Sequence, residues 1–368
     1  MSHERIRRFL DEHAPPTPCL VIDPSVVTAR AGELATGFAG SHLRYAVKAN
    51  PEPAVLCAVL AAGGGFDVAS PAEIDACLAA GARPESLSYG NTIKKAADIA
   101  YATSRGVREF TTDTGTDLEH LAEHAPGAAV SVRMLVDGPA SATPFGRKFG
   151  CAPDEAAGLL RRAADLGLDP AGVAFHVGSQ QPDPGAWDHG IAAAAKVFAE
   201  VGGLRRLNIG GGFGIGYRSP VPSLPEYATA IRRSLAAHFP AMPEIALEPG
   251  RAVVAESGLI RTEVVLVARR GERRWVYLDI GRYNGLAETE NEAIQYRLAA
   301  GEGPRGPVVL AGPTCDGDDV LYQRTPYELP LALRAGDTLD ILDAGAYTAS
   351  YSSVSFNGIP PLRTYCLD

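Results

Sequence analysis

The chain has 368 residues, 46% of them hydrophobic and 21% charged, with a formal net charge of −9. That is the balance of an ordinary globular protein, with room for one large or two medium domains. No block of Lys/Arg exceeds three, which argues against a nucleic-acid partner and leaves a cationic small molecule compatible.

In chain order, the Pro-rich stretch Ala14–Pro18 leads into a short apolar strand, Cys19–Ile22, and Asp23-Pro24-Ser25 then caps a helix predicted to run to about Phe38. Strands follow at His42–Val47, Gly65–Ala69, Ser86–Tyr89, Val107–Thr112, Ala128–Leu135, Gly172–Val177, Arg206–Ile209 and Glu244–Leu247. Helical stretches separate them: Glu52–Ala62, Ala72–Ala80, Ile93–Thr103, Asp117–His124, Pro153–Leu166, Pro184–Val201 and Leu224–Phe239. Eight strands alternating with helices fit a (β/α)8 barrel, with a doubly wound open sheet as the competitor. Polar or glycine residues decide between them, because Lys48, Asp67, Asn91, Asp113, Arg133, His176, Gly210 and Glu248 all fall at the C-terminal ends of strands. A barrel gathers such ends around one mouth.

Past Arg251 the strands Ile260–Val267, Arg274–Asp279, Pro307–Leu310 and Thr338–Leu342 lack long helices between them, which predicts a β-rich second domain. The expected division is a barrel over residues 24–249, with residues 1–23 and 250–368 forming a discontinuous β-rich domain. Six scattered cysteines, with no C-x-x-C pair and no histidine at zinc spacing, read as reduced thiols without a metal. The charged start Met1–Arg8 lacks a signal-type apolar run, and Ile191–Val201 is too short to span a bilayer, so a cytoplasmic location is expected.

Several segments carry chemistry. Lys48 follows apolar neighbours, where a desolvated amine can attack a carbonyl, although taken alone it reads as a salt-bridged strand end. Gly210-Gly211-Gly212 offers bare backbone N–H groups for a phosphate, or simply makes a tight turn. Glu248 could favour a protonated pyridine nitrogen or pair with Arg251. His176 could stack on a flat cofactor or sit satisfied in a core, while Ser179 could donate to phosphate. Cys315-Asp316 lies in an acidic turn without the ligand spacing of a calcium loop.

Together, Tyr45–Asn50, Phe66–Ser70 with Glu73, Arg147–Gly150, His176–Ser179, Gly210–Phe213, Glu248–Arg251, Gly312–Asp316, Gly345–Thr348 and Phe356–Gly358 resemble the fold-type III, pyridoxal-phosphate-dependent basic amino acid decarboxylases. The resemblance keeps family order from about Thr17 to Tyr365. It is closest to the ornithine decarboxylases, in a short bacterial form that includes Gly285-Leu286-Ala287-Glu288-Thr289.

The resemblance implies pyridoxal 5′-phosphate as cofactor, joined through its aldehyde to Lys48, with His176 stacked on the ring and Asp67 near the lysine. It implies Glu248 at the pyridine nitrogen, and Ser179, Gly211, Gly212, Gly250, Arg251 and Tyr347 around the phosphate. Glu73 and Arg147 would support the site and the dimer. It also implies a homodimer with shared active sites, in which Cys315 returns a proton to Cα and Asp316 faces the distal ammonium, with Tyr347 also at the substrate. The expected reaction turns L-ornithine into putrescine and CO2, a step of polyamine biosynthesis, with lysine or dual specificity as the alternative. Diaminopimelate, a racemase or a non-catalytic relative fit less well. The sequence departs from the family in reading Cys-Asp-Gly-Asp-Asp, which adds Asp318. The resemblance leaves one of Glu288, Glu290 and Glu292 to replace a second distal acid, and Glu288 is the expected one.

Overall fold

The structure, a computed structural model, describes residues 2–138 and 140–368. It has two compact units: one of Thr28–Gly214 with Val221–Val253, the other of Met1–Val27, Ile215–Pro220 and Val254–Asp368. Strand β1 is Cys19–Ile22, and eight more follow: β2 His42–Ala46, β3 Gly65–Val68, β4 Leu87–Tyr89, β5 Glu109–Thr112, β6 Ala129–Arg133, β7 Asp169–Ala174, β8 Arg206–Asn208 and β9 Glu244–Leu247.

Strands β2 to β9 pair in parallel in that order, and β9 pairs back onto β2 to close a barrel. Helices cover the outside, so strands such as β3 are buried along their whole length, as parallel strands with both faces covered are. Gly172 is required by strand proximity, since a Cβ there would stand 1.7 Å from the Arg206 carbonyl oxygen on β8. Side chains from the early ends of the strands fill one end of the barrel. Glu109 lies between Arg44 at 2.5 Å and Arg206 at 2.6 Å, and Arg206 also reaches Glu244 at 3.1 Å. Charges at this end serve stability, which leaves the opposite rim for chemistry. Helix starts are set locally: Ser70 accepts the Glu73 N–H, Thr114 accepts the Asp117 N–H, and Ser223 with Glu226 makes a full capping box.

The second unit is an eight-stranded sheet. Its later strands are β10 Gly258–Arg270, β11 Arg273–Leu278, β12 Arg297–Ala299, β13 Arg305–Ala311, β14 Val320–Pro330, β15 Thr338–Leu342 and β16 Arg363–Cys366. β1 lies in this sheet, antiparallel to β10 and parallel to β16.

Three of these strands, β12, β14 and β16, were not expected from sequence. In β14 the run Gln323-Arg324-Thr325-Pro326 breaks the apolar alternation, and register shifts interrupt its pairing with β13. The N–H groups of residues 323–325 donate to the Glu292 carboxylate instead of a neighbouring strand. The charged start of the chain forms a helix, Ser2–His13, where no element was expected from sequence. Ile6 and Leu10, one helical turn apart, pack on Cys19, Val21 and Leu259. Burying two such side chains is worth about 1.5–3 kcal/mol each.

Candidate active site

Lys48 is not the last residue of its strand. β2 ends at Ala46, whose N–H donates to the Pro249 carbonyl at 3.1 Å, and Val47–Ala49 turn as a 3₁₀ helix. Asn50 closes that turn by donating its N–H to the Val47 carbonyl at 3.1 Å, and Pro51 disfavours further helix. The turn leaves the Lys48 side chain half exposed, with Nζ 3.9 Å from Asp67 Oδ2.

Asp67, from β3, is 8% exposed. Its Oδ1 is buried without a hydrogen-bond partner among the described residues. Burial first, and then the Glu248 carboxylate, push the Asp67 pKa well above the carboxylate range, with Lys48 pulling the other way. Glu73 donates its N–H to Ser70 and accepts the Ala69 N–H at 2.7 Å, so it ties down the loop after β3.

Glu248 follows β9, and its Oε1 accepts a hydrogen bond from Asn208 Nδ2 at 2.5 Å. The alternative reading of Glu248, an ion pair with Arg251, does not occur among the described residues; Arg251 Nη2 donates to Ser179 Oγ at 3.3 Å. Asn208 escaped the sequence reading. The one available signal was a carboxamide in an otherwise apolar strand two residues before a glycine run.

His176 lies two residues past the end of β7, not on it. Its Nδ1 accepts the Gly178 N–H at 3.0 Å, which leaves Nε2 to carry the proton of a neutral ring. Burial, then the charges of Arg133 and Lys48, drive its pKa well below the ordinary histidine value, in agreement with that tautomer. Phe145 meets the ring edge-on, with centroids 4.6 Å apart, and Arg133 lies over the rings of Phe145 and Phe149. Arg147 lies in the same loop, between Phe145 and Phe149.

The glycine loop is tightly built. A Cβ on Gly211 would lie 2.4 Å from the Glu248 carbonyl oxygen, and one on Gly212 2.5 Å from that of Gly178. Gly212 also has φ +103, which side chains disfavour. Among the described residues the N–H groups of Gly211, Gly212 and Gly250 donate to no protein acceptor. Unspent donors beside Ser179 and Arg251 form a donor set suited to a phosphate. The half-exposed amine of Lys48, the neutral imidazole of His176 and the carboxylate of Glu248 belong to the same unit. These residues fit pyridoxal phosphate.

Cys315, Asp316, Glu288 and Tyr347 belong to the β-rich unit. The side chain of Asn357 brackets Cys315, with Oδ1 taking its N–H at 3.2 Å and Nδ2 lying 3.4 Å from Sγ. Asp316 Oδ1 accepts the Asp318 N–H at 2.8 Å. Tyr347 takes φ +55 in the turn after β15. Of the three nearby glutamates, Glu292 is occupied by residues 323–325, and Glu290 pairs with Arg282 at 3.2 Å. Glu288 lies in the same 3₁₀ segment, Ala287–Glu292, where its carbonyl accepts the Ile294 N–H at 3.1 Å.

Comparison with known proteins gives a consistent set. Residues 25–255 match the family described as "Pyridoxal-dependent decarboxylase, pyridoxal binding domain". A lysine/ornithine decarboxylase of Selenomonas ruminantium is 34% identical over 355 residues, covering 93% of this chain and 88% of the relative. A chloroplastic ornithine decarboxylase of Nicotiana glutinosa is 32% identical over 362 residues, covering 93% and 82%. The crystal structure of a Vibrio vulnificus lysine/ornithine decarboxylase complexed with putrescine superposes with TM-score 0.89 at 28% identity, covering 99% of this chain and 98% of that one. No helix among the described residues is long and apolar enough to cross a membrane.

Proposed function

Because this chain belongs to the fold-type III, pyridoxal-dependent decarboxylases of basic amino acids, we propose that its substrate is L-ornithine, converted to putrescine and CO2. The observation that carries the reading is the barrel rim, where Lys48 stands 3.9 Å from Asp67 and Glu248 is held by Asn208. The cofactor, when bound, supplies an electron sink that takes up the pair released as the α-carboxylate leaves.

The protein residues would do the rest. Lys48 would hold the cofactor through its amine and recover it at the end of turnover. Glu248 would face the pyridine nitrogen and favour its protonated form. Ser179, Gly211, Gly212, Gly250, Arg251 and Tyr347 would bind the phosphate. His176, neutral, would lie flat on the ring. Asp67 would orient the Lys48 amine.

In this reading the protein works as a cytoplasmic homodimer. The partner subunit's Cys315 would deliver the proton that replaces CO2 at Cα. The partner subunit's Asp316, with Glu288, would face the distal ammonium. The barrel domain is taken as residues 24–249, and residues 1–23 and 250–368 as the β-rich domain.

Lysine is the second reading, since the Selenomonas relative is by name a lysine/ornithine enzyme. One methylene changes discrimination by only about 1–3 kcal/mol. The test is CO2 release from ornithine, lysine, arginine and diaminopimelate, each with and without pyridoxal phosphate. Cofactor-dependent release fastest from ornithine is expected. Faster release from lysine would transfer the assignment to lysine, and no release from any of the four would overturn the reading.

A further inference from the structure

We propose that Asn208 is a positioning residue for the Glu248 carboxylate: it takes one carboxylate oxygen and leaves the other to meet the pyridine nitrogen. The inference rests on the role given to Glu248 above.

The two ends of the Asn208 carboxamide are assigned by their neighbours. The Gly210 N–H can only donate, and it lies 2.9 Å from Asn208 Oδ1. The amide nitrogen therefore faces Glu248 and donates to Oε1 at 2.5 Å. The ring of interactions closes through the backbone, because the Glu248 N–H donates to the Gly210 carbonyl at 2.9 Å. Asn208 is 5% exposed, so water does not compete effectively for either end.

Three hydrogen bonds thus join β8, the glycine loop and Glu248 in one cycle. With Oε1 committed, no other hydrogen bond reaches this carboxylate among the described residues, and Oε2 is the oxygen left for a ligand. A donor fixed on one oxygen also prevents the side chain from rotating away from that position. The same residue couples the ring-nitrogen contact to the phosphate loop, since Gly210 leads into Gly211 and Gly212.

The test compares two cofactors. Asn208→Asp keeps the acceptor for Gly210 and sets a second carboxylate against Glu248 in place of the amide donor. Asn208→Ser, which adds no charge, is the second variant should the first fail to fold. The affinity of the apoprotein is titrated by absorbance with pyridoxal 5′-phosphate and with its 1-deaza analogue, which has carbon in place of the ring nitrogen.

Loss of a charge-assisted hydrogen bond predicts about tenfold to a hundredfold weaker binding of the natural cofactor. It also predicts a lower kcat with KM for the amino acid unchanged, and little loss of affinity for the deaza analogue. An equal loss with both cofactors would make Asn208 merely structural and overturn the proposal. So would unchanged binding in the Asn208 variants while Glu248→Ala still weakens the natural cofactor. If Glu248→Ala itself binds both cofactors as the wild type does, the role of Glu248 falls, and this inference falls with it.

Discussion

Acids of the β-rich unit and Asp67 at the barrel rim are supplied with donors in opposite ways. In the β-rich unit, the buried Asp319 and the half-buried Glu292 are saturated with donors. Asp319 accepts from the Arg282 and Thr314 N–H groups and from the Thr314 hydroxyl. Glu292 accepts from the N–H groups of residues 323–325 and from the Thr325 hydroxyl. At the barrel rim, Asp67 keeps a buried oxygen with no hydrogen-bond partner among the described residues. There, too, burial shifts Asp67 upward and His176 downward. Fully satisfied acids build structure, and under-satisfied ones mark the place where a ligand is to complete the charge balance.

The largest effect that would break this contrast is at Lys48. Lys48→Ala is expected to lower kcat/KM by at least about a thousandfold, roughly 4 kcal/mol, and to abolish the visible band of the reconstituted protein. Steady-state CO2 release and absorbance measure both, and normal turnover would remove the chemistry from the rim.

Next comes Glu292, which works only as structure in this comparison. Burial pushes its pKa up, but the Thr325 hydroxyl and the N–H groups of residues 323–325 outweigh that and hold it down to about 2. A depressed carboxylate contributes stability above its unfolded pKa of about 4.3 and loses it as pH falls toward the folded value. Glu292→Ala is therefore expected to cost about 2–3 kcal/mol at neutral pH. The penalty should shrink in acid, and turnover per folded molecule should stay unchanged. Urea unfolding from pH 7 down to pH 3 checks the sign, and a pH-independent difference would contradict it.

The smallest effect is the most diagnostic. A raised carboxylate contributes stability below its unfolded pKa and loses it as pH rises through the folded value, so Asp67 is a burden at neutral pH. Asp67→Asn is expected to stabilise the apoprotein by about 1 kcal/mol, about 2–4 °C in Tm, while lowering kcat. A lower Tm by calorimetry would place Asp67 among the structural acids.

The barrel was legible where a buried parallel strand is a short apolar run bounded by Gly, Pro or a cap, as at Gly65–Val68 before Ser70-Pro71. The rim residues were legible as polar ends of those runs. What escaped depends on distant partners. Asn208 acquires meaning only from Glu248, 40 positions away, and β14 owes its irregular middle to Glu292. The Ser2–His13 helix needs β1 and β10 to cover Ile6 and Leu10. Charge alone likewise could not separate Glu290 from Glu292, whose carboxylates meet Arg282 and the N–H groups of residues 323–325 respectively.

Strand β1 has a consequence for biosynthesis. As the nascent polypeptide leaves the ribosome, Cys19–Ile22 emerges before any barrel strand, yet both segments it bonds to, Gly258–Arg270 and Arg363–Cys366, follow the whole barrel. Until then four apolar residues lack their strand partners, an aggregation-prone edge. Strands β2 to β9 can meanwhile complete their own ring, so β1 is made before the barrel and paired after it.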